Sequence, residues 1–289
     1  MRVLEPASGV LAFYDGRVEG VRLHSGEPNW LDDGGFTLGI ASFAIVDGDE
    51  ALVYDTHLTP AHGREIRSAL EERGATRLRV LLSHWHLDHV AGNEAFADCE
   101  IIAHAWTLEE LTARRAAIED ATLEGPPPIN PLVLPQTTFE DELELAVGRI
   151  RLTVRHMQIH SRDAAVVLLD GGDLVLAGDT LEDTVTYVSE PSELELQLAE
   201  LDRMRSWGAT RFLPCHGDPG RIAAGGYEPT LVDATSSYTR RLLAARDNSA
   251  AAALDLREFV RPELDAGWIT YLPAYEAVHR ENLAAVGAM

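Results

Sequence analysis

Four ligand-type side chains fall within six residues, in His84-Trp85-His86-Leu87-Asp88-His89. Two histidines separated by one residue, on an extended or tightly turned segment, direct their imidazoles to one centre, and Asp88 and His89 can turn toward a second. Burying four such groups without partners is costly, and a shared cation removes the cost. The chemistry of this cluster is therefore metal binding. A solvated loop is the natural reading of a lone histidine, but not of four ligand-type residues at this spacing behind an apolar strand.

Such a cluster needs a rigid mount. It begins where the apolar run Leu78 to Leu82 ends, so a buried strand delivers it. That strand belongs to a unit that occurs twice. Phe43 to Thr56 reads as strand, Asp-Gly turn, strand and a terminal aspartate, Asp55. Val167 to Thr180 repeats it with Asp179 in the place of Asp55. The turns at Asp47-Gly48 and Asp170-Gly171 each join short apolar runs, as hairpins do. Helical stretches follow, Ala61 to Arg73 and Ser192 to Trp207, and both run into Gly-Ala-Thr-Arg, at 74–77 and 208–211. Glycine there suits the left-handed backbone of a helix C-terminus. An apolar strand comes next in each half, Leu78 to Leu82 and Phe212 to Leu213, and ends near His84 or His216.

Two related halves of this kind imply an α/β protein. Two sheets packed face to face with helices outside, a four-layer αββα sandwich, bury both strand sets and bring the ligand-bearing strand ends to one edge. Residues 1–289 are read as a single domain. Between the halves lies an insert of about 106–141, Trp106 to Asp141, with a helix from Leu108 to Ala121 and the proline-rich run Gly125 to Pro131. It reads equally well as a lid over the site and as a plain connector. From Thr230 the chain is alanine-rich and helical in pattern, a C-terminal extension of about 230–289.

With 24 basic and 47 acidic residues the formal charge is −23. That charge repels phosphate backbones and anionic lipid, so no nucleic acid and no membrane is expected as a partner. A small-molecule substrate is, and an oligomer is compatible with the sequence. Met1 to Pro6 carries acid and proline where a signal peptide needs an apolar core, and no stretch reaches membrane-spanning length, which places the chain in the cytoplasm. Cys99 and Cys215 are too few for a disulfide framework and wrongly spaced for a cysteine zinc site, so both read as reduced thiols.

His84, His86, Asp88 and His89 match without departure the His-x-His-x-Asp-His signature of the metallo-β-lactamase-fold hydrolases, and over about residues 35 to 225 the chain resembles that superfamily. The resemblance implies the same αββα sandwich. It also implies a ligand set in which His84, His86 and His160 hold one ion, Asp88, His89 and His216 hold the other, and Asp179 bridges them. Isoleucine precedes His160 where glycine is usual, and His156 is a second candidate for that role. Asp55 would support the ligand loop from behind. The aspartate at 179 is similar to glyoxalase-II-like thioesterases and lactonases, where true β-lactamases carry cysteine or serine. His86 stands where flavodiiron proteins have glutamate, and no nuclease-sized insertion is present.

Histidine nitrogens and carboxylates without thiolate suit zinc, two Zn2+ ions here, with iron or manganese admissible. The function implied is a metal-dependent hydrolase using a metal-bound hydroxide to cleave an ester, lactone or thioester carbonyl, with Asp88 as proton carrier. The alternatives are a mononuclear iron dioxygenase of the persulfide type, a β-lactamase and a non-catalytic metal-binding protein. Among the remaining residues, Tyr187 is an oxyanion donor or a packed tyrosine. His24, His57, His104 and His279 bond locally, with His279 and Asn282 able to reach the cleft. Trp30, Trp85 and Trp268 are pocket or core.

Overall fold

The computed structural model describes residues 1–169 and 171–287. One sheet runs in chain order: β1 (Arg2–Ala7), β2 (Val10–Asp15), β3 (Ile40–Asp47), β4 (Glu50–Tyr54), β5 (Arg77–Leu81), β6 (Glu100–His104) and β7 (Thr137–Phe139). It is antiparallel through β4 and parallel from there on. The other sheet holds β8 (Glu142–Val147), β9 (Ile150–His156), β10 (Ala165–Leu169), β11 (Leu174–Gly178) and β12 (Arg211–Pro214), antiparallel except for the β11–β12 pair.

The two halves repeat in space as they do in sequence. The β3–β4 hairpin feeds the helix Pro60–Glu71 and then β5, parallel to β4. The β10–β11 hairpin feeds the helix Leu194–Ser206 and then β12, parallel to β11. Even the Gly-Ala-Thr-Arg segments make matching bonds. The amides of Thr76 and Arg77 both donate to the Asp49 carbonyl, at 2.8 and 3.0 Å, and those of Thr210 and Arg211 to the Asp173 carbonyl, at 3.1 and 2.9 Å. Gly74 and Gly208 adopt φ of 91° and 75°, the left-handed backbone that ends each helix. Asp170, in the second expected turn, lies outside the described residues.

Strand alternation separates the layers. In β2, Val10, Ala12 and Tyr14 join Phe43, Leu52, Val154 and Leu176 in the core between the sheets. Leu11 and Phe13, facing the other way, join Ile66 and Leu70 of helix Pro60–Glu71 and Leu111 and Ile118 of helix Ala105–Glu119. On the far side, Leu201 and Met204 of helix Leu194–Ser206 pack with Tyr238 and Leu242 of helix Thr230–Ala245. The outcome is the four-layer αββα sandwich.

One boundary needs correction. The segment from Trp106 to Asp141 is not wholly an insert, because Thr137–Phe139 pairs in parallel with β6 as the edge strand β7 and the helix before it already starts at Ala105. In the C-terminal extension, helix Thr230–Ala245 packs against helix Leu194–Ser206 as part of the outer layer; residues 288–289 lie outside the described set. Among the described residues, no helix is long and apolar enough to cross a membrane.

Candidate metal centre

Four strand ends meet at one edge of the sandwich. Asp55 follows β4, His84 and its neighbours follow β5, Asp179 follows β11, and His216 follows β12. His160 comes from the turn between β9 and β10. Gly178 turns the chain into Asp179 with φ of 55°, and a Cβ there would lie 2.8 Å from the Tyr54 hydroxyl, so the position is closed to larger residues.

The seven expected ligand residues converge. His160 Nε2 lies 2.9 Å from His86 Nδ1 and 3.2 Å from His84 Nε2. Asp179 Oδ2 is 3.0 Å from His89 Nε2 and 3.4 Å from His216 Nε2, and 3.8 Å from both His84 and His160. Asp88 Oδ2 completes the second group, 3.2 Å from His216 Nε2 and 3.6 Å from His89 Nε2. The triads His84-His86-His160 and Asp88-His89-His216, with Asp179 against His84 and His89, have the closeness that a metal ion requires.

The outward nitrogens of four histidines decide where their inner lone pairs point. His89 Nδ1 donates to Asp55 Oδ2 at 2.8 Å, His160 Nδ1 to the Tyr187 carbonyl at 3.1 Å, and His216 Nδ1 to the Gly39 carbonyl at 2.8 Å. Ser83 Oγ donates to Asp55 at 2.7 Å, so its oxygen receives His84 Nδ1–H at 2.9 Å. With a proton held on each Nδ1, all four Nε2 atoms face the common centre, as lone pairs on His84 and His160 and, where Asp179 keeps a proton on His89 and His216, as positions that a cation would take over. Burial, reinforced by neighbouring imidazoles, holds His84 well below the ordinary histidine range and His86 at about 3. Against the pull of burial, Asp179 raises His89 and His216 well above that range. Burial likewise opposes ionisation of Asp179, yet His89 and His216 hold it well below the usual carboxylate range.

Behind the ligands sits Asp55, fully buried, accepting from the Ser83 amide and hydroxyl and from His89. Asp55 and His160 both take left-handed backbone, with φ of 66° and 70°. The left-handed kink thus falls on His160 itself, and Ile159 before it does not need a glycine's freedom. His156 is turned away: its Nε2 donates to the Arg162 carbonyl at 2.7 Å and its ring stacks on His104.

Glu182 and Gly35 near the site carried no spacing signal, and Asn282 carried one only through its one-turn spacing from His279. Glu182 is buried, accepts from the Tyr187 amide and the Tyr275 hydroxyl, each at 2.9 Å, and stands 3.7 Å from His160 Nδ1. Burial and the charge on Asp179 push it up to about 8. Asn282 accepts from the Val188 amide at 2.9 Å and donates to the Thr186 carbonyl at 3.0 Å, pinning the stretch whose Tyr187 carbonyl holds His160. His279 does not reach the cleft as the sequence suggested; it bonds Tyr238 and the Leu254 carbonyl among the C-terminal helices. Replacing Asn282 with Ala strips two buried backbone groups of their partner, so it is expected to cost about 1–3 kcal/mol, read as a lowered denaturation midpoint.

Gly35 lies in the π-helical turn Trp30–Phe36, and a Cβ there would come within 2.3 Å of Leu58 Cδ2 and 3.2 Å of Asp88 Cβ. Leu58 can swing aside, but Asp88 hangs from the ligand loop. Gly35→Ala is therefore expected to displace Asp88 and lower kcat by about 10- to 100-fold, measured on any substrate the enzyme turns over.

Over the cluster opens a cleft of about 820 Å³. Trp30, Leu38, Trp85 and Leu87 line it, as do Ala274 and, from helix Tyr275–Gly287, Ala277 and Val278. Trp30 Nε1 donates to the Pro127 carbonyl at 3.0 Å, which ties the 30–36 turn to the proline-rich stretch. Trp268 stays in the core.

The sequence model described as the Metallo-beta-lactamase superfamily matches residues 36–216, the span that carries every one of these ligand positions. The chain belongs to the metallo-β-lactamase superfamily. "Probable metallo-hydrolase YqgX" of Bacillus subtilis (strain 168) is 23% identical to this superfamily member over 146 residues, 48% of this chain and 65% of that protein. The protein avaE of Aspergillus versicolor, which its name calls a transcription factor, is 28% identical over 168 residues, 56% of this chain and 50% of its own. The chain thus spans between half and two thirds of the curated relatives it matches. Among solved structures, DIM-1 metallo-β-lactamase exposed to ceftazidime superposes with a TM-score of 0.61 at 18% identity, covering 83% of this chain and 96% of that one. A metallo-β-lactamase from Pontibacter korlensis gives 0.56 at 16% identity over 80% and 98%. At such identities the likeness is one of fold.

Proposed function

We propose that this superfamily member is a dinuclear metal-dependent hydrolase, zinc by its donor set, acting on an ester, lactone or thioester carbonyl. His84, His86 and His160 would hold one ion, Asp88, His89 and His216 the other, with Asp179 between them. The observation that carries the reading is the inward convergence of four Nε2 atoms upon one carboxylate.

The residues fit such a group. His84 and His160, both held below the ordinary histidine range and anchored through Nδ1, meet Nε2 to Nε2 at 3.2 Å, a contact between two lone pairs that has no proton and that a cation would resolve. Asp179 Oδ1 is buried without a hydrogen-bond partner among the described residues, leaving that oxygen available to a cation. The donors are nitrogen and oxygen, and Cys215 is directed to Asp55, at 3.5 Å. When bound, two divalent ions supply Lewis-acid polarisation of a carbonyl oxygen and acidify water toward a pKa of about 7.

The chain's own groups do the rest. Asp88 is more open to the cleft than Asp179, with 16% against 4% of its side chain exposed, so it can take a proton from the attacking water and return it to the leaving atom. Asp55, Ser83, Gly39 and the Tyr187 carbonyl keep the imidazoles in one tautomer. The apolar walls at Leu87, Leu38 and Val278 limit competing water.

The test is elemental analysis of the purified chain beside a panel of lactones, thioesters, simple esters and a chromogenic cephalosporin. Two equivalents of divalent metal and chelator-sensitive acyl hydrolysis are expected. A single iron with oxygen consumption and no acyl hydrolysis would overturn the proposal in favour of a dioxygenase, and preference for the cephalosporin would move the substrate to β-lactams.

A further inference from the structure

The cleft is lined by the carboxylates of Asp33, Asp88, Glu124, Asp179, Glu182 and Glu281 and, among the described residues, by no lysine or arginine. Four of the six have partners already on the page or nearby. Asp88 and Asp179 belong to the ligand cluster, Glu182 is held by Tyr187 and Tyr275, and Asp33 is paired with Arg22 at 2.9 Å. Glu124 and Glu281 remain, and among the described residues neither enters an ion pair.

These two exposed acids come from different elements, Glu124 from the stretch before the proline run and Glu281 from the last helix. Both act on the phenol of Tyr187, which places them within electrostatic reach of one ring. Trp30 and Trp85 line the same space. The guanidinium groups beside the cleft are engaged elsewhere and do not line it: Arg22 pairs with Asp33 at 2.9 Å, Arg17 donates to the Leu38 carbonyl at 2.7 Å, and Arg114 lies over the face of Trp85 at 4.5 Å and pairs with Glu110. Two unpaired carboxylates and three aromatic rings form a mouth with one sign of charge. An ammonium group there meets carboxylates and the negative faces of the rings, whereas an anion meets two like charges and no cation beyond the metal centre.

We propose that this mouth selects substrates by charge: the group distal to the scissile carbonyl is an ammonium or is uncharged, and carboxylate-bearing acyl substrates are rejected. The proposal rests on the hydrolase reading above and adds the substrate class. It also separates this cleft from any substrate that must present a free carboxylate at the rim.

The test uses the metal-loaded full chain and three esters of one alcohol, matched in length and ending in trimethylammonium, tert-butyl or carboxylate. The first two are nearly the same shape, so charge alone separates them. At about pH 8, kcat/KM is expected to fall in that order. The span from first to last should reach at least about 100-fold and shrink as salt is raised. E281Q should narrow the span, and E124Q combined with E281Q should bring it to within about threefold. A second readout needs no hydrolysis: quenching of tryptophan fluorescence by choline and by its uncharged isostere 3,3-dimethylbutan-1-ol. Choline is expected to bind at least about tenfold more tightly, and the double variant to lose that preference. Equal binding of the two probes, or a carboxylate ester cleaved as well as the ammonium ester, would overturn charge selection. Choline preference without cleavage of any ester would leave charge selection standing and sink the hydrolase reading instead.

Discussion

Asp179→Asn is expected to leave a folded chain whose kcat/KM is at least about 10³-fold lower and which retains at most one equivalent of metal. Among the described residues, Asp179 is the one acid that pairs within 4 Å of His84, His89, His160 and His216 together. Its Oδ2 faces all four, and its Oδ1 has no other partner among the described residues. An amide keeps the shape but halves the acceptor capacity and removes the negative charge that offsets two cations. Elemental analysis and circular dichroism on the same preparation separate loss of metal from loss of fold. If the variant keeps two equivalents and near-normal turnover, Asp179 is not the bridge and the dinuclear reading fails with it.

Asp55→Asn should give the next largest effect, by a different route. Asp55 does not line the cleft, yet it accepts four hydrogen bonds, from Ser83 N and Oγ at 2.7 Å, from His89 Nδ1 at 2.8 Å and from the Cys215 thiol at 3.5 Å. An asparagine must turn its NH2 toward at least one of these donors. Metal affinity is expected to fall about 10- to 100-fold, because His89 loses the partner that fixes its tautomer. Stability of the metal-free chain should fall by about 1–3 kcal/mol, since a buried donor is left unmet. Chelator competition gives the first number and denaturant unfolding the second. A purely structural role would lower stability and leave metal affinity unchanged.

The scaffold and the ligands were legible because both are written as local patterns. A hairpin, an aspartate, a helix, Gly-Ala-Thr-Arg and a strand recur in one order, and each item of that series is set by neighbours a few residues away. The hydrogen bonds from Thr76 and Thr210 to Asp49 and Asp173 bear the repeat out. The cluster from His84 to His89 needs only six residues to declare itself. The edge strand β7 was hidden because three residues, Thr137–Phe139, make too short a run for period-two alternation to stand out in a proline-rich segment.

By itself, then, the sequence determined the α/β sandwich and the residue types able to hold metal, since alternation and close spacing of ligands act over short distances. Only the tertiary structure decided what surrounds them. Glu124, Glu182 and Glu281 are single polar residues with no periodic partners, and the spacing of Asn282 from His279 did not tell what it binds; Glu182 and Asn282 are held by partners more than ninety residues away, and Glu124 and Glu281 meet in the cleft only through the fold. Such residues are shaped by packing between distant segments, and that packing, rather than any local propensity, sets the charge and form of the cleft.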